Sequence, residues 1–139
     1  MTAPLDAEYR LRRFVGGVCG FAVVRVRVAA VAGGGGRVVT AVDPARGASA
    51  PPESYGDWFA GAEQGCREAL ALAGESSWTV RVTGVVGTEV DSSPAAMRAA
   101  GAMAVLTALG AADGYEVVHD GDWRVRRRAS AVADDGGRP

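Results

Sequence analysis

Three common amino acids are missing from the 139-residue chain, which contains no lysine, no asparagine and no isoleucine. Without lysine there is no phosphate-binding loop of the GxxxxGK type, no Schiff-base lysine and no lysine of the protein-kinase kind. The three missing residues have AT-rich codons, so their absence indicates a bacterium with a high-GC genome. Arginine is then the only long cation available, and its abundance alone is no sign of nucleic-acid binding.

Histidine and cysteine are scarce as well, since His119 stands alone and Cys19 and Cys66 lie far apart. Zinc sites take four ligands of these types at short spacing, so we expect no metal. Two distant cysteines are typical of free thiols in a cytoplasmic protein, which is the location that we expect. His119 is interpreted as a hydrogen-bonded or solvated side chain rather than a catalytic base.

The charge and hydropathy of the sequence exclude further classes of protein. The formal net charge is −1, so only a local patch could attract a polyanion. The N terminus lacks the order of a signal peptide, and Arg25 and Arg27 interrupt the longest apolar run, so we expect no membrane segment. The length predicts one domain, which we assign to residues 9–128. Residues 1–8 are predicted to be a loose end and residues 129–139 a disordered, polar and glycine-rich tail.

Alternating valine and arginine predicts strands with one buried and one solvated face. Over residues 21–32, Val24, Val26 and Val28 share one face while Arg25 and Arg27 share the other. The next strand, residues 37–42, is interpreted as its hairpin partner. Further strands are predicted at residues 77–86, 114–119 and 123–128. Residues 9–14 are left open between a short edge strand and a basic arm.

Two helices are predicted between these strands. The first spans residues 58–73, with Asp57 as its cap and Gly74 after its end. The second begins at Pro94, where Ser92 or Ser93 can accept hydrogen bonds from the first turn. Two helices cover one face of a sheet, so the fold class is α/β (α+β): a two-layer sandwich of a four- to five-stranded mixed sheet with both helices on one face.

The sequence VDSS at residues 90–93, followed by a helix rich in alanine and methionine, resembles domain IV of elongation factor G and of the ribosomal protection proteins. Residues 63–70 resemble the first helix of that family, residues 78–86 its following strand, and Gly16 and Gly17 its glycine-rich tip loop. The similarity covers residues 14–110. It implies the fold that domain IV shares with GHMP kinases and a small-subunit ribosomal protein.

In that family, loops at one end of domain IV enter the ribosomal decoding site. The resemblance therefore makes these residues candidates for a tip that contacts RNA: Gly16, Gly17, Gly87, Thr88 and Glu89. Two positions depart from the family pattern, because Thr88 replaces a histidine and Cys19-Gly20-Phe21 replaces Gly-Gln-Tyr.

The solvated faces of the strands supply a second set of candidates. If the strands are neighbours, six guanidinium groups share one face, where they could pair with phosphate and stack on bases. These RNA-binding candidates are Arg25, Arg27, Arg81, Arg124, Arg126 and Arg128. The alternative is a solvated face on which the arginines pair with nearby carboxylates.

We therefore expect a non-catalytic module that binds RNA or the ribosome, without cofactor or nucleotide. A GHMP-kinase-like phosphate site at Ser92 and Ser93 is the rival chemistry. We expect it to fail because Glu89 and Asp91 stand where glycines should be and would repel phosphate. The other alternative is a protein-interaction or homodimerisation module on the same scaffold, with no role in translation.

Overall fold

The computed structural model describes residues 4–32, 36–75 and 77–128. The helices are α1 (Gly56–Leu72) and α2 (Pro94–Ala108). The strands are β1 (Leu5–Val15), β2 (Val18–Ala30), β3 (Val38–Thr40), β4 (Trp78–Val86), β5 (Tyr115–His119) and β6 (Trp123–Arg127). Four strands form a mixed sheet in the order β1-β2-β4-β3, and β5 and β6 form a separate two-stranded sheet. The mixed α+β fold class predicted from the sequence is confirmed.

A long hairpin of β1 and β2 opens the chain. Its two-residue turn is made by Gly16 and Gly17, whose φ angles of 57° and 83° suit glycine. The edge strand left open for residues 9–14 is present and extends back to Leu5, so the prediction of a loose end is wrong for residues 5–8. It begins there because Asp6 and Glu8 lie opposite arginines of β2. The predicted tail at residues 129–139 lies outside the described residues.

The short strand β3 differs from its prediction, because it pairs parallel with β4 and not as a hairpin with β2. Val38 lies opposite Val80 and Thr40 opposite Val82. Parallel neighbours need a crossover connection, and α1 provides it between the two strands. β2 therefore pairs with β1 on one side and β4 on the other, antiparallel to both.

Both helices begin close to their predicted positions. The Ser93 side chain accepts a hydrogen bond from the N–H of Ala96 (3.1 Å), and Pro94 occupies the first turn of α2. For α1 the predicted cap is wrong: the helix begins at Gly56, and Asp57 lies within its first turn, where a carboxylate favours the positive end of the helix dipole.

Helix α2 is buried almost all round, with every residue from Ala99 to Leu106 in the buried interior. A helix that is apolar on all sides needs cover on all sides. The four-stranded sheet lies on one side of α2, α1 lies beside it, and the β5–β6 hairpin adds further cover. Trp123 of β6 reaches the inner face of β2 at Gly20, which leaves no room for a Cβ atom. No helix of the described residues has the length and apolarity needed to cross a membrane.

Candidate nucleic-acid interface

The six arginines proposed from the sequence do not share one face. Arg25, Arg27 and Arg81 lie on the open face of the four-stranded sheet, the face away from the helices. The other three, which are Arg124, Arg126 and Arg128, lie on the outer face of the β5–β6 hairpin. The prediction of a single face is wrong because β5 and β6 form their own sheet on the helix side of the molecule.

Two of the arginines on the open face form ion pairs with carboxylates of β1. Arg25 Nε donates to Glu8 Oε1 (3.0 Å), and Arg27 Nε donates to Asp6 Oδ1 (3.0 Å). The register of the hairpin explains both pairs, because each acid of β1 lies directly opposite its arginine in β2. The carboxylate partners therefore lie within residues 5–8, which the sequence analysis predicted to be a loose end.

The open face is not wholly exposed to water, because residues 43–50 lie over part of it. Arg46 of this segment pairs with Asp6 of β1 (2.9 Å), and the carbonyl oxygen of Ala48 accepts from Arg25 Nη1 (2.7 Å). The Arg25 side chain is 19% exposed. Arg25 is thus held by protein on two sides, and it is removed from the set of residues available to RNA.

The remaining open-face arginines surround a cleft of about 280 Å³ at the end of the sheet opposite the β1–β2 turn. We call it the arginine cleft. It is lined by Pro4, Arg27, Ala29, Val31, Arg37, Thr79 and Arg81. No carboxylate is among these lining residues. Arg37 and Arg81 are exposed and form no ion pair within the described part of the chain.

Strand pairing brings these cations together. Arg27 of β2 lies directly opposite Arg81 of β4, and Val39 of β3 lies opposite Arg81 on the other side. Arg37 precedes Val39 by two residues, and its carbonyl accepts from the N–H of Val80 (2.8 Å). Asp6 already pairs with Arg27, so the charge that a bound anion could neutralise in the cleft is that of Arg37 and Arg81. Sequence reasoning missed Arg37 because it placed β3 beside β2.

A second cationic surface lies on the outer face of the β5–β6 hairpin. Arg124, Arg126 and Arg128 project from this face, opposite Val118 and Glu116. Glu116 pairs with Arg126 at 3.0 Å and with Arg128 at 4.0 Å, so one carboxylate serves two arginines. This surface is separate from the arginine cleft.

The tip candidates lie at one end of the molecule. The strand β4 ends level with Val23 of β2, and the loop after it stays beside β2, where the N–H of Phe21 donates to the carbonyl of Asp91 (3.0 Å). The turn formed by Gly16 and Gly17 lies farther along the same hairpin. Gly87, Thr88 and Glu89 therefore share an end of the sheet with the glycine turn.

Hydrogen bonds hold the loop between β4 and α2. The Ser92 hydroxyl donates to the carbonyl of Phe21 (2.6 Å) and accepts from the N–H of Thr88 (2.8 Å). Ser92 therefore joins the loop to β2, while the cap is Ser93. Glu89 accepts from the Tyr55 hydroxyl (3.1 Å), and this hydrogen bond, with the charge of Glu89, raises the pKa of Tyr55 above 10.0. Both serines are engaged within the protein, which leaves little of them to bind phosphate.

Two other side chains that the sequence analysis considered, His119 and Cys66, pack against groups of the protein itself. His119 packs edge-on against Trp123, with ring centroids 4.7 Å apart. Cys66 lies between the helices and contacts the carbonyl of Gly101. Burial, together with the charge of Glu63, raises the pKa of Cys66 to about 12. Its thiol is therefore not a nucleophile at neutral pH.

Comparison with known proteins supports the fold alone. No protein-family model matches the chain, and no curated protein matches it. A crystal structure of a protein from Thermus thermophilus matches with a TM-score of 0.59 and 21% identity over 80% of this chain. The match covers 16% of the Thermus protein, so this chain corresponds to a small part of that longer protein.

Proposed function

We propose that the chain is a non-catalytic RNA-binding module that holds the phosphate backbone of a single strand in the arginine cleft. The observation that carries the proposal is that Arg37 and Arg81, neither of them ion-paired within the described residues, converge on one cleft with Arg27, whose partner is Asp6. Guanidinium groups bind phosphate oxygens through paired hydrogen bonds, which suits a polyanion better than a neutral ligand.

The surroundings of the cleft favour backbone binding over reading of bases. No aromatic side chain lines it within the described residues, so the cleft offers no platform on which bases could stack. Residues 43–50 cover the open sheet face near Arg25, so an extended strand has access to this face at the end where the cleft lies. We therefore propose binding that tolerates many sequences and weakens with salt.

A relation to domain IV of translation factors is part of the proposal. It is supported by the helix that Ser93 caps after Asp91 and Ser92, and by the position of the loop after β4 at the same end of the sheet as the glycine turn. In this proposal the RNA is ribosomal and the module works in the cytoplasm. The exposed Phe14 (73%) lies beside the glycine turn, at the end of the sheet opposite the arginine cleft, and would offer the RNA a separate aromatic contact.

Fluorescence anisotropy with a single-stranded RNA oligonucleotide at low salt tests the cleft. The variant is Arg37→Gln with Arg81→Gln, because neither side chain is ion-paired within the described residues and its loss leaves no carboxylate orphaned there. Charge-assisted hydrogen bonds contribute roughly 1.5–3 kcal/mol each, so we expect the dissociation constant to rise at least about tenfold.

The matched control carries the same change of charge on the helix side. Arg67→Gln with Arg98→Gln removes two arginines that pair with Glu63 and Glu68. We expect this control to bind RNA as the wild type does. Equal loss of RNA binding in both variants, or loss in neither, would contradict the proposal. Co-sedimentation with ribosomes is a separate test, which shows whether the RNA partner is ribosomal.

A further inference from the structure

The outer edge of β1 is free of backbone partners within the described residues. β1 is an edge strand of the four-stranded sheet, and its backbone pairs with β2 alone. The remaining backbone hydrogen bonds of the described chain do not involve residues 5–15. Long free edges are uncommon because they invite pairing with another strand.

The direction in which the unpaired backbone N–H and C=O groups of β1 point follows from one residue of β2, Phe21. Phe21 lies opposite Arg12, yet its N–H donates to Asp91 and its carbonyl accepts from Ser92, so both groups point away from β1. Phe21 and Arg12 are thus a non-hydrogen-bonded pair. By alternation, Asp6, Glu8 and Arg10 are of the same kind as Arg12, and their N–H and C=O groups point out from the edge.

These same residues carry a charge pattern that is complementary to itself. Along the open face, β1 reads Asp6, Glu8, Arg10 and Arg12, two acids followed by two bases. An antiparallel copy centred on Tyr9 places Asp6 opposite Arg12 of the partner subunit and Glu8 opposite Arg10 of the partner subunit. A shift of the centre to residue 8 or 10 sets Glu8 against Glu8 of the partner subunit or Arg10 against Arg10 of the partner subunit and keeps two opposite-charge pairs. The centre at Tyr9 gives four such pairs and no like pair, so it is favoured.

We propose that two copies of the chain associate through their β1 edges in this register, joining two four-stranded sheets into one. On the inner face, Tyr9 meets Tyr9 of the partner subunit, and Ala7 meets Leu11 of the partner subunit. The two-fold axis passes beside Tyr9, and the contact is isologous. The interface is small, so dimers form in the micromolar range of concentration rather than the nanomolar range.

Charge on the edge supports a second copy over an unrelated strand. Arg10 and Arg12 form no ion pair within the described residues of their own chain. Asp6 and Glu8 lie on the same face and already pair with Arg27 and Arg25 of their own chain, so in the dimer each carboxylate is shared with an arginine of the partner subunit. The arginine cleft lies mainly on β2, β4 and β3 and reaches the start of β1 only at Pro4. Pro4 lies outside the paired residues 6–12, so dimerisation leaves the cleft accessible.

A cysteine placed at the two-fold axis tests the register. In a Cys19→Ser background, Tyr9→Cys brings two cysteines to a Cα separation of about 4.5 Å, which a disulfide spans. The matched control is Ala7→Cys, on the same face, where the two cysteines would be about 14 Å apart. Under mild oxidation we expect covalent dimers of the first variant only. Equal cross-linking of both variants, or of neither, overturns the proposal.

Sedimentation equilibrium tests the charge pattern without cysteine. Arg10→Glu with Arg12→Glu sets four acids against four acids, and we expect the dissociation constant of the dimer to rise at least about tenfold. Arg124→Glu with Arg126→Glu makes the same change of charge on the β5–β6 hairpin and should leave association unchanged. A wild-type chain that stays monomeric over a wide concentration range overturns the proposal. RNA binding by the arginine cleft does not depend on this result.

Discussion

A methyl group added at Gly101 tests how closely α1 and α2 approach. Gly101 is buried in α2, and a Cβ atom there would lie 2.6 Å from the carbonyl oxygen of Ala62 and 3.2 Å from its Cα atom. These are backbone atoms of α1, so they move only if the whole helix moves. Gly65 of α1 makes the reverse contact, because its Cβ would fall on the carbonyl of Arg98 in α2.

Two opposing effects determine how much Gly101→Ala changes the free energy of unfolding. Alanine is the better helix former by about 1 kcal/mol. Overpacking a rigid contact costs about 1–3 kcal/mol, and a clash with backbone lies at the upper end of that range. We therefore expect the free energy of unfolding to fall by about 2 kcal/mol, which lowers the Tm by roughly 5–8 °C in a chain of this size.

Urea denaturation and thermal melting followed by circular dichroism measure the effect. The control is Gly56→Ala at the start of α1, where an added Cβ meets no atom within 4 Å. We expect the control to be as stable as the wild type or slightly more stable. If Gly101→Ala is as stable as the control, the backbones of α1 and α2 are not in contact and the description of their packing is wrong.

Three further predictions concern single side chains. Ser92→Ala removes both hydrogen bonds of the hydroxyl and should lower the free energy of unfolding by about 1–2 kcal/mol in urea denaturation. A thiol reagent at neutral pH should label Cys19 quickly and Cys66 only after unfolding, because the Cys66 pKa is raised to about 12; two fast thiols would contradict this. Tyr55 should titrate above pH 10.0 in NMR spectra, and its favourable contribution to stability, present below that pH, should be lost as pH rises through the folded pKa. Glu89→Gln should return the Tyr55 pKa toward 10.0, and an unchanged titration would refute the contact.

Local chemistry made most elements predictable from the sequence. The Ser93 cap and Pro94 located the start of α2, and alternation of valines located β2 and β4. The turn at Gly16 and Gly17 is likewise local, because positive φ favours glycine. These features depend on neighbours in the chain, which the sequence displays directly.

Strand order was not predictable in the same way, and the candidate site depends on it. Nothing local to β3 shows that it pairs with β4, yet this pairing brings Arg37 to the arginine cleft. Likewise, the acids that neutralise Arg25 and Arg27 sit on β1, and only the hairpin register reveals them. The six-arginine face was wrong because alternation assigns a side chain to a face of its own strand and leaves the sheet undetermined.

The salt dependence of RNA binding tests the central claim most directly. For single strands, each phosphate contact contributes about 0.7 to the slope of log K against log salt concentration. We predict that Arg37→Gln with Arg81→Gln makes this slope shallower by about 1.4, since two contacts are lost. The helix-side control, Arg67→Gln with Arg98→Gln, should keep the wild-type slope. Parallel lines for all three proteins would show that the arginine cleft does not hold the phosphate backbone.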